Sequence, residues 1–358
     1  MPSLRILFIV PYPHGEAPSQ RFRFEQYYPA LQQAGITYEI APFLDTETWQ
    51  ILYKPGHKLA KVWGIVKGFG RRKLLMFQVR KYDYIFLHRE AAPIGPPIFE
   101  WFMAKVLRAK IIYDFDDAIW LPNTSEHNKI AAGLKWHQKV NSICKWAYKV
   151  SCGNEYLCDF ARKYNANVVL NPTTIDTVNL HKQTKNQHTD KVVIGWTGTH
   201  STVGYLDGLV PVLRKLEQEL DFEFRVISNR PPDFQLKSLV YVPWKKDTEI
   251  ADLLQFNFGV MPLTDDKWAK GKCGFKALQY MSLGMPAVVS PVGVNTCIVT
   301  PGEDGYLCET PLQWEDALRT LIEDEQLRVQ MGLAARQKIV SHFSVLSNTG
   351  TFLCLFAP

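Results

Sequence analysis

Lys270-Gly-Lys-Cys-Gly-Phe-Lys-Ala-Leu-Gln-Tyr-Met-Ser-Leu-Gly-Met-Pro-Ala-Val-Val289 is the stretch on which the reading of the chain turns. Gly271 and Gly274 punctuate a basic loop that opens a helix, Gly284 and Pro286 stop it, and the apolar run Ala287 to Ser290 reads as a short buried strand. On a helix through this segment Lys272, Lys276 and Gln279 stand at i, i+4 and i+7 and share one face, while Phe275, Leu278 and Met281 form an apolar one. A helix N-terminus favours anions through its N–H groups and its dipole, and two lysines at the same end strengthen that preference, so the segment suits a diphosphate. An ordinary amphipathic helix with solvated lysines fits the same periodicity.

Working outward, apolar runs followed by helical patterns divide the chain into two open α/β halves, each doubly wound. The strand expectations in the first half are Arg5 to Val10, Thr37 to Pro42, Tyr84 to His88, Lys110 to Asp114, Lys149 to Gly153 and Asn167 to Leu170. In the second half they are Val192 to Trp196, Glu223 to Ser228, Leu239 to Val242, Phe258 to Pro262, Ala287 to Ser290 and Tyr306 to Cys308. Near-continuous apolar character predicts parallel strands covered on both faces. Asn171 to Thr177, followed by the polar run Lys182 to Lys191, reads as the boundary. The expected domains are therefore 1–175 and 176–335, with 336–358 as a terminal segment. Doubly wound domains bind ligands outside the carboxyl ends of their strands, and two such ends facing each other across a cleft would place the chemistry in the post-strand loops.

Those loops hold the polar residues. After the first strand, Pro11 to Arg23 contains Arg21, near a helix expected to start at Ser19; contact with a phosphate or an acceptor and a structural salt bridge both fit it. His88-Arg89-Glu90 crowds three polar groups at one strand end, and Asp114-Phe-Asp-Asp117 follows the fourth strand, with Asp114 suited to capping a turn. Gly195 and Gly198, with Thr199, His200, Ser201 and Thr202, make a phosphate-cradle pattern. Arg230 and Trp244 follow later strands, and base stacking and core packing both fit Trp244.

Length and composition set the limits. A chain of 358 residues, 46% hydrophobic and 21% charged, suits two globular domains and excludes a disordered protein. No apolar run reaches membrane-spanning length, and the opening Met1 to Val10 reads as a strand and not a signal peptide. Seven cysteines without paired CxxC spacing argue for reduced thiols in the cytoplasm and against zinc. Net charge is +6, and from Thr48 to Tyr82 no acidic residue occurs while Lys54, Lys58, Lys61, Lys67, Arg71, Arg72, Lys73, Arg80 and Lys81 alternate with apolar and aromatic residues. Such a stretch suits an anionic membrane surface; a long helix with a solvated basic face is the other reading, and nucleic acid lacks a supporting motif.

The Lys270 stretch resembles the nucleotide-sugar loop of GT-B glycosyltransferases of the glycogen-synthase-like group, GT4. Their pattern runs E-G-F-G-x-x-x-x-E-A-M-A-x-G-x-P-V-V, and Gly274-Phe275, Leu278 to Met281 and Gly284-Met285-Pro286 occupy matching places. The pattern's two glutamates fall on Gly271 and Gln279, so neither carboxylate is present. The resemblance is clearest from about Val192 to Ser341 and implies two Rossmann-like domains, with the last helices returning to the first. It implies a transferase moving a sugar from a UDP or GDP donor to a glycan or lipid-linked acceptor in cell-envelope polysaccharide synthesis, with retention and no obligatory metal or other cofactor. Lys272, Lys276, Gly198 and Thr199 would serve the diphosphate, Gln279 the ribose, and Arg230 and Trp244 the base. Asp116, Asp117 and His88 would face the reacting sugar, and Arg21, Arg89 and Glu90 the acceptor. The cysteine pattern and the basic stretch, not the resemblance, point to the cytoplasm and to a peripheral place at the inner face of the membrane. Asp114-Phe-Asp116 also resembles the D-x-D motif of metal-dependent GT-A transferases, which gives one alternative. A catalytically silent binding subunit and a GT-B epimerase are the others.

Overall fold

Every apolar run expected to form a strand does so in the computed structural model, which describes residues 4–52, 54–122 and 136–357; Tyr53 of the basic stretch lies outside them. In the first half these are β1 Arg5–Val10, β2 Thr37–Pro42, β3 Tyr84–His88, β4 Ile111–Phe115, β5 Lys149–Cys152 and β6 Val168–Leu170. In the second they are β7 Val192–Thr197, β8 Phe222–Ser228, β9 Leu239–Pro243, β10 Phe258–Met261, β11 Ala287–Val289 and β12 Gly305–Leu307. They assemble into two six-stranded sheets in the orders β2-β1-β3-β4-β5-β6 and β12-β11-β10-β7-β8-β9, all pairs parallel. Chain contacts separate Met1–Thr173 with Thr349–Pro358 from Thr174–Asn348. These divisions lie beside the expected 175 and well beyond the expected 335, because the Glu325–Lys338 helix packs on the Phe275–Ser282 helix of the second unit.

Burial on both faces explains the strand composition. Ile85, Phe86 and Leu87 of β3 and Ile112 and Tyr113 of β4 are fully buried, each large apolar side chain contributing about 1.5–3 kcal/mol. The end of the chain contributes to the first core: Phe352 stacks on Tyr27 with ring centroids 4.3 Å apart, and Lys149 Nζ donates to Cys354 O at 3.0 Å.

Sheet order locates the strand ends that matter. In the second unit β7 starts the winding, β8 and β9 extend it one way, and β10, β11 and β12 the other, so the direction reverses between β7 and β10. In the first unit the reversal lies between β1 and β3. A crevice opens where two connections leave such a sheet on opposite faces, and ligands of open α/β sheets bind there.

The basic stretch folds as the Lys58–Leu75 helix. Gly64 and Gly68 lie on its inward side, where a Cβ would come within 2.3 Å of Thr48 Oγ1 and 2.6 Å of the Phe43 ring respectively. One turn on, the buried Arg72 donates to the carbonyls of Val10, Ala41 and Ala91 at 2.8, 2.8 and 2.7 Å. Arg71 is held by Asp45 at 3.1 Å. Both arginines are thus tied into the fold, whereas Lys58, Lys67 and Lys73 of the same helix are exposed. Gly68→Leu is expected to lower the melting temperature by several degrees, because the helix must lift off Phe43; overpacking of this kind costs about 1–3 kcal/mol. Among the described residues no helix is long and apolar enough to cross a membrane.

Candidate active site

In the second unit, the loops after β7 and β10 flank the reversal point. The β7 loop is tied to itself: Thr199 Oγ1 and Ser201 Oγ are 2.8 Å apart, and Thr199 N donates to Thr202 Oγ1 at 3.2 Å. Asn229, from the β8 end, accepts from His200 N at 2.8 Å. Gly198 sits inside this turn, and a Cβ on it would strike the Trp196 ring at 2.5 Å. Trp244 is half-buried, its backbone N–H donating to Ser228 O at 2.9 Å, whereas Arg230 is exposed.

The decisive stretch departs from its expected shape. The helix spans Phe275–Ser282, with Gly274 before it at φ +67° and no side chain capping the N-terminus. A left-handed residue at this point ends the helical path, so Lys272 comes from the preceding loop and does not share a helix face with Lys276 and Gln279. Nor is the helix a surface one, since Ala277 to Ser282 are all buried. A Cβ at Gly274 would also meet Ile298 Cδ1 at 2.2 Å, and the positive φ favours glycine there.

Lys272 and Lys276 are both half-buried near this N-terminus. The Lys272 ammonium lies 5.8 Å from the Trp268 ring centroid and 5.9 Å from that of Tyr205; Lys276 lies 5.5 Å from Trp196. Aromatic faces attract cations and hold them in place. Asp266 caps the short Lys267–Lys270 helix by accepting from Ala269 N at 2.8 Å. Burial works to raise its pKa, but Thr264, the backbone donors and Lys272 together hold it below the ordinary range. Gln279 is 2% exposed and donates to Glu249 Oε1 at 3.4 Å. Glu249, itself buried at the start of the Glu249–Leu253 helix, puts a carboxylate beside the position where the sequence pattern has lost one.

In the first unit, strand register assembles the polar residues. His88 pairs with Asp114, and Asp114 with Ser151, so β3, β4 and β5 set the three side by side. Asp114 is fully buried; it accepts from His88 Nδ1 at 2.8 Å, from Ser151 Oγ at 2.7 Å and from the buried Arg23. Arg23 also donates to Asn171 O. Burial alone would raise the Asp114 pKa, yet Arg23 and His88 outweigh it and hold the carboxyl well below the usual range. Asp114 is thus the centre of a buried network and not a turn cap. Its carboxylate accepts from three donors.

Arg89 has the left-handed φ of +60°, a conformation costing about 1–3 kcal/mol outside glycine. Its Nε and Nη2 donate to Asp116 Oδ1 at 2.9 and 2.8 Å, its Nη2 donates to Asp117 Oδ2 at 2.8 Å, and Tyr113 Oη donates to its carbonyl at 2.8 Å. Burial would lower the guanidinium's pKa, but Asp116 and Asp117 outweigh it, raise the pKa and keep Arg89 charged. Asp116 is correspondingly held low, its burial being offset chiefly by Arg89. Glu90 pairs with the buried Lys139 at 2.6 Å. His88 is fully buried, and among the described residues its Nε2 has no hydrogen-bond partner.

The expected Arg21 placement is reversed. The helix there is only Pro18–Arg21, so Arg21 stands at its C-terminal end, with its guanidinium 4.9 Å from the Phe22 ring centroid. Arg23, two residues on, is the arginine that reaches the strand ends. An aspartate within an apolar strand demands a buried cation, and that signal pointed to such a partner without saying which one. Glu249 carried no signal, because its place beside Gln279 comes from tertiary packing alone.

Residues 191–324 match the family model described as Glycosyl transferases group 1. N-acetyl-alpha-D-glucosaminyl L-malate synthase of Bacillus anthracis is 24% identical over 179 residues, 47% of this chain and 45% of that protein. Matches to curated relatives cover from 15% to 45% of their own lengths. Sucrose-phosphate synthase from Thermosynechococcus elongatus superposes with a TM-score of 0.68 at 13% identity, covering 99% of this chain and 98% of that one. Anabaena HepE in complex with UDP gives 0.60 at 14% identity, with 98% of both chains covered. These likenesses establish the fold expected from the sequence, a pair of Rossmann-like domains of the GT-B type.

Proposed function

We propose that this chain, which carries a group 1 glycosyltransferase domain at residues 191–324, transfers a sugar from a nucleoside diphosphate to the hydroxyl of a glycan or lipid-linked acceptor in cell-envelope polysaccharide synthesis. One observation carries this reading: the N-terminus of the Phe275–Ser282 helix lies beyond β10, at the reversal point, with Lys272 and Lys276 both beside it. That is a site for a diphosphate leaving group, whose charge grows as the glycosidic bond breaks. The Gly198–Thr199 turn borders it from β7. Two lysines and a helix dipole supply the positive charge, so activity is expected to persist in excess chelator.

Gln279 and Glu249 take the ribose in this reading. The Gln279 amide nitrogen is engaged by Glu249, which leaves the amide oxygen to accept from a ribose hydroxyl. Glu249→Gln is expected to raise the donor KM about tenfold with a smaller change in kcat, measured by steady-state kinetics; equal KM values would remove Glu249 from the site. Trp244 and Arg230 serve the base. In the first unit, His88, Asp116, Asp117, Glu90 and Arg21 make up the acceptor set of this reading; Asp114 fixes the His88 imidazole, and Asp116 and Asp117 hold Arg89. Reaction proceeds with retention, with the donor phosphate assisting deprotonation of the acceptor.

The experiment is titration of the protein with UDP, GDP and their sugars, followed by assay of sugar release and transfer. Binding of a nucleotide with turnover of its sugar supports the enzyme. Binding with no turnover of any sugar would favour a silent binding subunit, a reading to which the engagement of both Asp116 and Asp117 by Arg89 lends support.

A further inference from the structure

The outward side of the Lys58–Leu75 helix takes no part in the features above. Its exposed large apolar side chains are Leu59, Val62, Trp63, Val66 and Leu74, with Phe77 just beyond the helix; Leu59 is 87% and Phe77 80% exposed. At 3.6 residues per turn these fall within a single arc of about 120°. The opposite arc is Gly64, Gly68 and Arg72, packed on Thr48, Phe43 and the strand-end carbonyls. A surface helix normally turns its apolar stripe to the core; this one turns it away.

The apolar surface extends beyond the helix. Ile98, Trp101 and Val106 are exposed on the neighbouring segment, and between the two lies a groove of about 460 Å³ floored by Met76, Phe99 and Phe102, with Lys73 and Arg80 along it. Lys58, Lys67, Lys73, Arg80 and Lys81 are exposed, Lys61 is half-buried, and no acidic residue occurs between Thr48 and Tyr82. A contiguous apolar face edged by charge of one sign marks an interaction surface. Its complement is apolar and anionic, which a second copy of this chain is not, because pairing the face with itself would set lysines against lysines.

We propose that this face rests on an anionic phospholipid bilayer, with Leu59, Trp63, Val66, Leu74 and Phe77 among the acyl chains and the surrounding lysines at the headgroup phosphates. The binding is independent of any glycosyl transfer. Full-length protein is expected to sediment with phosphatidylcholine vesicles containing a quarter phosphatidylglycerol at least ten times more strongly than with phosphatidylcholine alone, and less at high salt. Trp63→Ser, Leu74→Ser and Phe77→Ser together should abolish sedimentation. Replacing Lys58, Lys61, Lys67 and Lys73 by glutamine should weaken it about a hundred-fold. Because all these side chains are exposed or half-buried, melting temperatures should stay close to wild type, which separates lost binding from lost folding. Equal binding to both vesicles, or binding indifferent to both variant sets, overturns the proposal. So does a concentration-dependent dimer in sedimentation velocity that the serine variant dissolves while the wild type ignores vesicles.

Discussion

Asp114→Asn is expected to lower the unfolding free energy by about 3–5 kcal/mol, because it strips the counter-charge from a guanidinium enclosed in protein. Arg23 and Asp114 are 1% and 0% exposed at their side chains, and water cannot replace either partner. Chemical denaturation of the variant checks the figure. Arg23→Met should cost a similar amount, and the double variant Arg23→Met with Asp114→Asn less than the sum, since the second change removes a charge already orphaned by the first. Additive losses would show that the two do not act as a pair.

The same pair sets a pH dependence. A carboxyl held below its unfolded pKa of about 3.9 stabilises the native state fully above that value, and the contribution disappears as pH falls toward the folded pKa. Wild-type stability should therefore decline below about pH 4, and Asp114→Asn should flatten that part of the profile. A variant with the wild-type acid slope would assign the slope to other carboxylates.

Lys272→Ala and Lys276→Ala should each reduce kcat/KM for the nucleotide sugar by at least tenfold, and together by at least a hundredfold. Each ammonium sits among aromatic rings beside the helix N-terminus, where this reading puts the developing phosphate charge. Lys276→Arg should recover part of the loss, since charge survives though its reach changes. Near-normal turnover in the double alanine variant would move the diphosphate elsewhere.

Strands proved readable from the chain because parallel, doubly covered strands are apolar on both faces, and that pattern needs no tertiary knowledge. The Lys270 stretch illustrates where such reading stops. Periodicity placed Lys272 on a helix with Lys276, but Gly274 adopts a positive φ, and the helix starts after it. The basic stretch shows a similar limit: spacing revealed an amphipathic helix, yet only the contacts of Gly64 and Gly68 with Thr48 and Phe43 decide which side faces inward. Among the site residues, His88, Asp114 and Ser151 meet through strand register, whereas Arg23 and Glu249 arrive from loops and helices whose paths no local pattern encodes.

Arg72 gives the Lys58–Leu75 helix a fixed address. Its guanidinium is planar and rigid, and its three carbonyl partners come from the end of β1, from β2 and from the segment after β3. The helix can neither roll nor slide without breaking bonds to the strands whose ends launch the Pro11–Arg23 and His88–Glu90 loops. Whatever settles on its outer stripe therefore pushes against the scaffold of those loops, and by reciprocity a ligand that stiffens the loops steadies the stripe by the same free energy.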